Sequence, residues 1–234
     1  MSQVSTAMIL AAGRGARMRP FTDLVPKPLA PVADKPLIVH TIERLVSAGV
    51  EQIVINISWR GQQIREMLGD GSAFATRIAY SDEGEHALET GGGIVKALPL
   101  LGDQPFWVVS GDIWIDYPYA ARASQLMPTD LVHLVLVPNP DFHPLGDFYL
   151  RAGRVNNTAV DAQSQRLTYA SLGLFRPELF AKRAAGIAPM QPWLREAMTA
   201  ARVSGERFDG EWCNVGTVDQ LQELDHTLRK RGKT

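Results

Sequence analysis

A loop rich in glycine and arginine lies near the start of the chain and directly follows the apolar run Met8–Ala11. Glycine lets a backbone approach an anion closely and direct its N–H groups towards it. Arginine binds phosphate oxygens through two parallel N–H groups, and lysine supplies a compact positive charge. Two glycines and four cations therefore predict a phosphate site at this loop and just after it: Gly13, Gly15, Arg14, Arg17, Arg19 and Lys27.

Two common phosphate motifs do not match this loop. The dinucleotide fingerprint needs a third glycine three positions after Gly15, where this chain has Met18, and that argues against a dehydrogenase. The P-loop ends in Gly-Lys-Ser or Gly-Lys-Thr, which the loop lacks. A solvated surface turn is the remaining alternative that spacing alone leaves open.

A carboxylate and a second glycine cluster occur further along the chain. Asp112 follows the apolar run Phe106–Val109, and open α/β sheets bind ligands at the carboxyl ends of their strands. Because Mg²⁺ prefers carboxylate oxygen, Asp112 is the first candidate for a metal ligand; Asp116 is the alternative, unless it caps a helix. The glycine triplet 91–93 leaves room for a flat base against the backbone, although such triplets also form flexible loops.

The segment Leu10–Pro20, followed by Lys27-Pro28-Leu29, resembles the signature of the sugar-1-phosphate nucleotidyltransferase family. The resemblance implies that the glycine loop wraps a triphosphate, that Arg17 stabilises the transition state and that Lys27 contacts phosphate. It also implies that the segment around Glu89 reads the base and seats the ribose. The implied nucleotide-binding residues are Ala12, Gly13, Gly15, Ala16, Arg17, Glu89, Gly91 and Gly92, and the implied catalytic residues are Arg17, Lys27 and Asp112.

The later motifs resemble the sugar side of the same family. The resemblance implies sugar contacts from Asp112, Gly146, Asp147 and Ser171, and Mg²⁺ ligands from Asp112 and Asn214. Two departures stand out. The family usually has aspartate where this chain has Asn214, and the stretch 151–166 contains no glutamate, its only acid being Asp161. An amide oxygen is still a hard donor, but Asn214 also invites a non-enzyme alternative, a nucleotide-binding regulatory subunit.

The resemblance covers nearly the whole chain and implies a reaction between a nucleoside triphosphate and a sugar 1-phosphate. The segments Leu88–Ile94, Gly111–Tyr117 and Val203–Thr217 favour uridylyl transfer from UTP to N-acetylmuramic acid 1-phosphate, with release of pyrophosphate, in cell-wall recycling. Guanylyl transfer to mannose 1-phosphate or a heptose 1-phosphate is the alternative within the family.

Composition limits the binding partners and the cellular compartment that we expect for this protein. The 234 residues have a formal net charge of −1, which gives no basic field for nucleic acid or an anionic membrane. The single cysteine, Cys213, excludes an intramolecular disulfide and favours a reducing compartment. Neither a signal sequence nor an apolar stretch long enough for a bilayer is recognisable. We expect a cytoplasmic protein that is a monomer or a small homo-oligomer.

Alternating apolar runs and amphipathic stretches predict an α/β fold. Strands are expected at Met8–Ala11, Ile53–Ile57, Arg77–Tyr80, Phe106–Val109, Val132–Val137, Phe148–Leu150, Arg154–Val160, Leu167–Phe175 and Arg207–Val215. Helices are expected at Leu37–Ala48, Gln62–Leu68, Gly92–Leu98, Glu178–Ala185, Pro192–Ala201 and Val218–Arg229.

The order of these elements implies βαβ units and a Rossmann-like, mostly parallel sheet that carries a small mixed or antiparallel sugar-binding lobe. We expect one domain over residues 1–234. Its nucleotide-binding part would span about 1–137, its sugar-binding part about 138–217, and a C-terminal helix 218–234.

Overall fold

The computed structural model describes residues 4–123 and 125–231. Its strands are β1 Thr6–Leu10, β2 Pro31–Val32, β3 Lys35–Pro36, β4 Gln52–Ile57, β5 Arg77–Asp82, β6 Phe106–Ser110, β7 Ile113–Ile115, β8 Val132–Val137, β9 Phe148–Arg151, β10 Arg154–Asn156, β11 Gln165–Phe175, β12 Val203–Arg207 and β13 Trp212–Asn214. Its helices are α1 Leu37–Ser47, α2 Gly61–Leu68, α3 Glu89–Leu101, α4 Tyr119–Arg122, α5 Gln191–Thr199 and α6 Val218–Arg231. Residues 232–234 of the predicted C-terminal helix lie outside the described residues.

The described residues form a nine-stranded central sheet in the order β5-β4-β1-β6-β11-β8-β12-β10-β9. The strands β5, β4, β1 and β6 are all parallel to one another. The strand β1 lies between β4 and β6, as in Rossmann-like folds. From β11 onwards the pairing is mixed, because β11 runs antiparallel to both β6 and β8 whereas β12 runs parallel to β8. The predicted α/β fold is confirmed, and its mixed lobe continues the same sheet.

Helices cover both faces of this sheet because successive residues of each strand point to opposite sides. In β1, Ala7 and Ile9 pack in one core with residues of α1 and α2, such as Ile42 and Ile64. The intervening Met8 packs on the other side with α3 and α5. A smaller third core joins α6 to the glycine loop and to β7 through Leu221, Met18 and Trp114. Three layers therefore hold the ends of the central strands rigidly.

Three sequence predictions of secondary structure are wrong. The expected helix Glu178–Ala185 is only a short turn at Pro177–Leu179, because the chain beyond it bonds to the start of α3. The expected strand Arg154–Val160 ends at Asn156, where a turn built on Asp161 and Ser164 begins.

The third wrong prediction is the strand Arg207–Val215, which is two separate strands. Its first part, β12, ends at Arg207 within the central sheet. Its second part, β13, pairs with β7 in a separate two-stranded antiparallel sheet. No helix in the described ranges is long and apolar enough to cross a membrane.

Candidate active site

Two adjoining cavities open at the carboxyl ends of the central strands. The smaller has a volume of about 230 Å³ and is lined by the glycine loop, Lys27 and Asp112. The larger has a volume of about 550 Å³ and lies against the mixed part of the sheet. Four residues line both cavities, namely Leu10, Glu89, Thr90 and Ser110. The two cavities therefore form one cleft with two compartments.

The glycine loop is open on one side and tightly held on the other. A Cβ atom added at Gly13 would meet no atom within 4 Å, so this backbone is accessible from the cleft. Gly15 has φ +65° and lies against Thr22, whose hydroxyl donates to the Gly15 carbonyl at 2.9 Å. The amide of Ala11 donates to Asn56 Oδ1 at 2.8 Å. These contacts fix the loop that we expected to wrap a phosphate chain.

Only two of the four predicted cations line the cleft. Lys27 lines the smaller cavity and Arg17 the larger one. Arg14 lies over the Trp59 ring, 4.3 Å from its centroid, and Arg19 forms an ion pair with Asp23 at 3.2 Å. Ala16, also expected at the nucleotide, is exposed in a short turn and lines neither cavity.

Asp112 forms the polar centre of the cleft. Its Oδ2 accepts a hydrogen bond from Lys27 Nζ at 2.6 Å, and its Oδ1 accepts one from Ser110 Oγ at 2.6 Å. The Lys27 side chain is only 10% exposed, so this ion pair is shielded from water on the lysine side. A shielded pair of opposite charges at the end of a parallel strand can hold a phosphate on the lysine and a cation on the carboxylate.

The pairing of β7 with β13 brings Asn214 close to Asp112. Asn214 lies opposite Ile113 in this ladder, and the amide of Val215 donates to the Asp112 carbonyl at 2.9 Å. Asp116 is engaged elsewhere, since its Oδ1 accepts from the Glu211 amide. The described ranges contain no cluster of three or more histidine, cysteine, aspartate or glutamate residues that could hold a metal. Asp112 and Asn214 are therefore the oxygen pair on which a metal site would depend.

The glycine triplet does not line either cavity. A Cβ atom would lie 2.6 Å from Trp193 at Gly91, 2.0 Å from the Gly186 carbonyl oxygen at Gly92 and 2.4 Å from Glu83 at Gly93. These glycines allow α3 to pack closely against its own chain, which differs from the open base-binding surface that the sequence suggested. Glu89, with φ +58°, and Thr90 are the residues of this segment that line the cleft.

Sequence reasoning missed two buried polar residues in the smaller cavity. Asn56 donates from Nδ2 to Glu83 Oε1 at 2.7 Å, and Glu83 Oε2 accepts from the Leu88 amide at 2.6 Å. Both side chains are largely buried and line the cavity. The signal for Asn56 was present, because a polar residue interrupts the otherwise apolar strand β4.

The larger cavity collects the predicted sugar residues Asp147 and Ser171. Asp147 accepts from the Tyr169 amide at 2.8 Å and lies 3.1 Å from His143 Nε2. Burial and the charge of Asp147 raise the pKa of Tyr169, which therefore stays protonated. Gly146 does not line the cavity; it has φ +61°, and a Cβ there would lie 2.5 Å from Asn139 Oδ1.

Two features of the larger cavity were not predicted. Strand β11 carries a bulge between Tyr169 and Gly173, where Ser171 adopts φ +58° and faces the cavity. The rings of Phe142 and Trp212 stack with centroids 6.4 Å apart at one side of the same cavity. Asp161, the only acid in the stretch 151–166, pairs with Arg151 in an exposed turn and lines neither cavity.

The chain belongs to the nucleotidyl transferase family, which it matches over residues 6–231. It is 50% identical to the N-acetylmuramate alpha-1-phosphate uridylyltransferase of Neisseria meningitidis, over 93% of this chain and 95% of that protein. The enzyme of the same description from Caulobacter vibrioides is 37% identical, over 92% and 94%. The solved structure of a UDP-glucose pyrophosphorylase with UDP-glucose has a TM-score of 0.78 at 18% identity, and the match covers 97% of this chain and 99% of that one. The predicted family is confirmed.

Proposed function

We propose that this protein transfers the uridylyl group of UTP to N-acetylmuramic acid 1-phosphate, giving UDP-N-acetylmuramic acid and pyrophosphate. The observation that carries the choice of base and sugar is the 50% identity to the uridylyltransferase of Neisseria meningitidis over nearly the full length of both chains. The two-compartment cleft supports the same reaction, because it offers separate space for a nucleotide and for a sugar, with Asp112 in the smaller compartment and Ser110 lining both.

We assign UTP to the smaller cavity and the sugar to the larger one. In this assignment Ala12, Gly13 and Gly15 present backbone to the phosphates, and Glu89 seats the ribose at the shared edge. Gly91 and Gly92 act indirectly by fixing the start of α3. Asp147 and Ser171 contact the sugar hydroxyls, and Gly146, which lies outside the cavity, acts indirectly by bonding to the His143 carbonyl in the turn before Asp147. UTP and the sugar phosphate are the proposed substrates. We also propose a cytoplasmic role in cell-wall recycling, and the single cysteine supports a reducing compartment.

We further propose Mg²⁺ as the metal. A carboxylate oxygen from Asp112 and an amide oxygen from Asn214 fit this ion, which often takes only one or two protein ligands and completes its shell with substrate phosphates and water. Bound Mg²⁺ would supply charge neutralisation for the phosphates. The neutral amide gives the site one negative charge less than two aspartates would.

The chemistry requires positioning and charge stabilisation rather than a covalent intermediate. A phosphate oxygen of the sugar 1-phosphate attacks the α-phosphorus of UTP in line. The bond from that phosphorus to the bridging oxygen breaks, and pyrophosphate leaves with the electron pair. Lys27 holds the attacking phosphate beside Asp112. Arg17, which is exposed at the edge of the larger cavity, neutralises charge that develops on the phosphoryl oxygens.

Pyrophosphate release measured with Mg²⁺ tests the proposal. UTP, GTP, CTP and dTTP are crossed with the 1-phosphates of N-acetylmuramic acid, N-acetylglucosamine, glucose and mannose. Release with UTP and the muramic acid phosphate above all other pairs is expected. Preference for GTP with mannose 1-phosphate would instead support guanylyl transfer. Nucleotide binding without release from any pair would support a regulatory subunit.

A further inference from the structure

The larger cavity has few positive groups for the substrate that we propose. N-acetylmuramic acid carries a lactyl ether whose carboxylate is negative at neutral pH. The ionisable acidic and basic side chains that line the cavity, apart from Tyr169, are Arg17, Glu89, His143 and Asp147. Glu89 and Asp147 repel a carboxylate, and Arg17 is assigned to the phosphates. His143 is therefore the remaining side chain that can offer it a positive charge.

His143 is held in a well-defined turn. Its amide donates to the Pro140 carbonyl at 2.8 Å, and its carbonyl accepts from the Gly146 amide at 3.2 Å. Its ring Nε2 lies 3.1 Å from Asp147 Oδ1, while the other oxygen of Asp147 is fixed by the Tyr169 amide. The other ring nitrogen, Nδ1, makes no hydrogen bond with any residue that the structure describes. With both nitrogens protonated, Nε2–H donates to Asp147 and Nδ1–H is left to donate to a ligand.

The preceding residue adds an apolar surface. Phe142 is 58% exposed, so its ring is accessible to a ligand in the cavity. Its ring stacks with Trp212, and both rings line the larger cavity beside His143. An apolar ring next to an imidazole N–H donor matches a lactyl group, which has a methyl group and a carboxylate on the same carbon.

We propose that Phe142 and His143 recognise the lactyl substituent of the sugar, with the imidazolium bound to its carboxylate and the ring packed on its methyl group. This inference rests on the proposed function. It makes these two residues determinants of specificity, because substrates that differ only in the lactyl group meet different surfaces here.

A substrate in which the lactyl carboxylate is converted to an amide tests the role of His143. Wild-type kcat/KM for the acid should exceed that for the amide by about tenfold or more, because a charge-assisted hydrogen bond is lost. His143→Gln keeps an amide donor for Asp147 but lacks the positive charge. It should lower kcat/KM about 10- to 100-fold for the acid and leave the amide substrate within about threefold. Equal losses on the acid and the amide would overturn the role of His143.

Phe142→Ala tests the apolar half. The KM for N-acetylmuramic acid 1-phosphate should rise about 5- to 20-fold, because the packed ring is lost. The inhibition constant of N-acetylglucosamine 1-phosphate, which lacks the lactyl group, should stay within about twofold of wild type. Parallel rises in both constants would overturn the role of Phe142.

Leu145→Ala is the matched control. Leu145 lies in the same turn, is 70% exposed and does not line the cavity, so its removal should change neither constant. Circular dichroism checks that each variant is folded. Wild-type protein that releases pyrophosphate only with a sugar lacking the lactyl group would overturn the proposed function and this inference together. Turnover of the muramic acid substrate by a His143→Gln variant that prefers the acid over the amide as strongly as wild type does would overturn this inference alone.

Discussion

The two compartments of the cleft are built in different ways. The smaller one takes much of its wall from one short stretch, residues 10–15 with 27–28, which follows β1 directly. The larger one takes its wall from distant segments: 142–148, 168–171, 189–194 and 212–214. In the proposed assignment, the phosphates of the nucleotide are bound by a local loop. A particular sugar needs side chains that only the tertiary fold assembles, so its readers leave no compact motif.

Arg17→Ala should have the largest effect, because Arg17 follows the glycine loop of the smaller compartment in sequence while its side chain lines the larger compartment. Loss of a group that stabilises the transition state costs about 100-fold or more in kcat. Because Arg17 is exposed, the melting temperature should stay unchanged. Arg19→Ala is the control, since Arg19 pairs with Asp23 outside both cavities and should retain near wild-type turnover. Steady-state pyrophosphate release measures both variants, and near-normal turnover of Arg17→Ala would remove Arg17 from the mechanism.

The two glycine clusters provide the next test. Gly92→Ala places a Cβ 2.0 Å from the Gly186 carbonyl, and such overpacking costs about 1–3 kcal/mol and lowers Tm by about 2–12 °C. Gly13→Ala meets no atom within 4 Å, so Tm should hold while the KM for UTP rises. Thermal unfolding and steady-state kinetics of the two variants distinguish a packing role from a role in UTP binding. A destabilised Gly13→Ala with an unaffected Gly92→Ala would reverse the two roles.

Variants of Ser171 test the proposed sugar contact in the larger compartment. Both Ser171→Gly and Ser171→Ala remove the hydroxyl and should raise the KM for the sugar phosphate about 3- to 10-fold. Only glycine relieves the left-handed backbone, so Ser171→Gly should be more stable than Ser171→Ala by about 1 kcal/mol. Urea unfolding compares the stabilities. A sugar KM unchanged in both variants would exclude the Ser171 hydroxyl from sugar binding.

Cys213 gives the smallest expected effect. Burial, with a lesser contribution from Glu223, raises the pKa of this thiol to about 11, so the thiol stays protonated up to that pH. A disulfide reagent at pH 8 should therefore label the folded protein about 100-fold more slowly than free cysteine. Labelling followed from pH 7 to 10 should accelerate steadily, and unfolding in urea should abolish the protection. A labelling rate that levels off below pH 9 would contradict this picture of the β13 segment.

The sequence predicts the parallel half of the fold well because its strands are buried on both faces and form nearly continuous apolar runs, as in β1 and β6. Helix α1 is equally clear from its one apolar face. The failures lie where tertiary contacts override local preference. The segment after Leu179 contains good helix formers, but its backbone bonds to Leu88 and Gly92 instead.

The residues of the candidate site were likewise predicted from local motifs, whereas their contacts with distant segments were not. Lys27 and Asp112, assigned separate roles from motifs 85 residues apart, are in direct contact. The close approach of Asn56 to Glu83 and the stacking of Phe142 on Trp212 could not be read from spacing, because the partners lie in distant segments. Arg14 and Arg19 appeared equivalent to Arg17 in the sequence. The positions of Trp59 and Asp23 distinguish them.

The close packing of α3 against the segment 186–193 limits how this chain can be recombined with its relatives. Gly91 and Gly92 belong to the first half of the chain, and the atoms that require them to be glycine belong to the second half. Recombination near residue 138, the boundary that the sequence predicts between the nucleotide-binding and sugar-binding parts, would bring together surfaces that did not evolve against each other. Chimeras within this family should therefore fold only when residues 88–93 travel with the 186–193 segment, so that the two halves change as one unit.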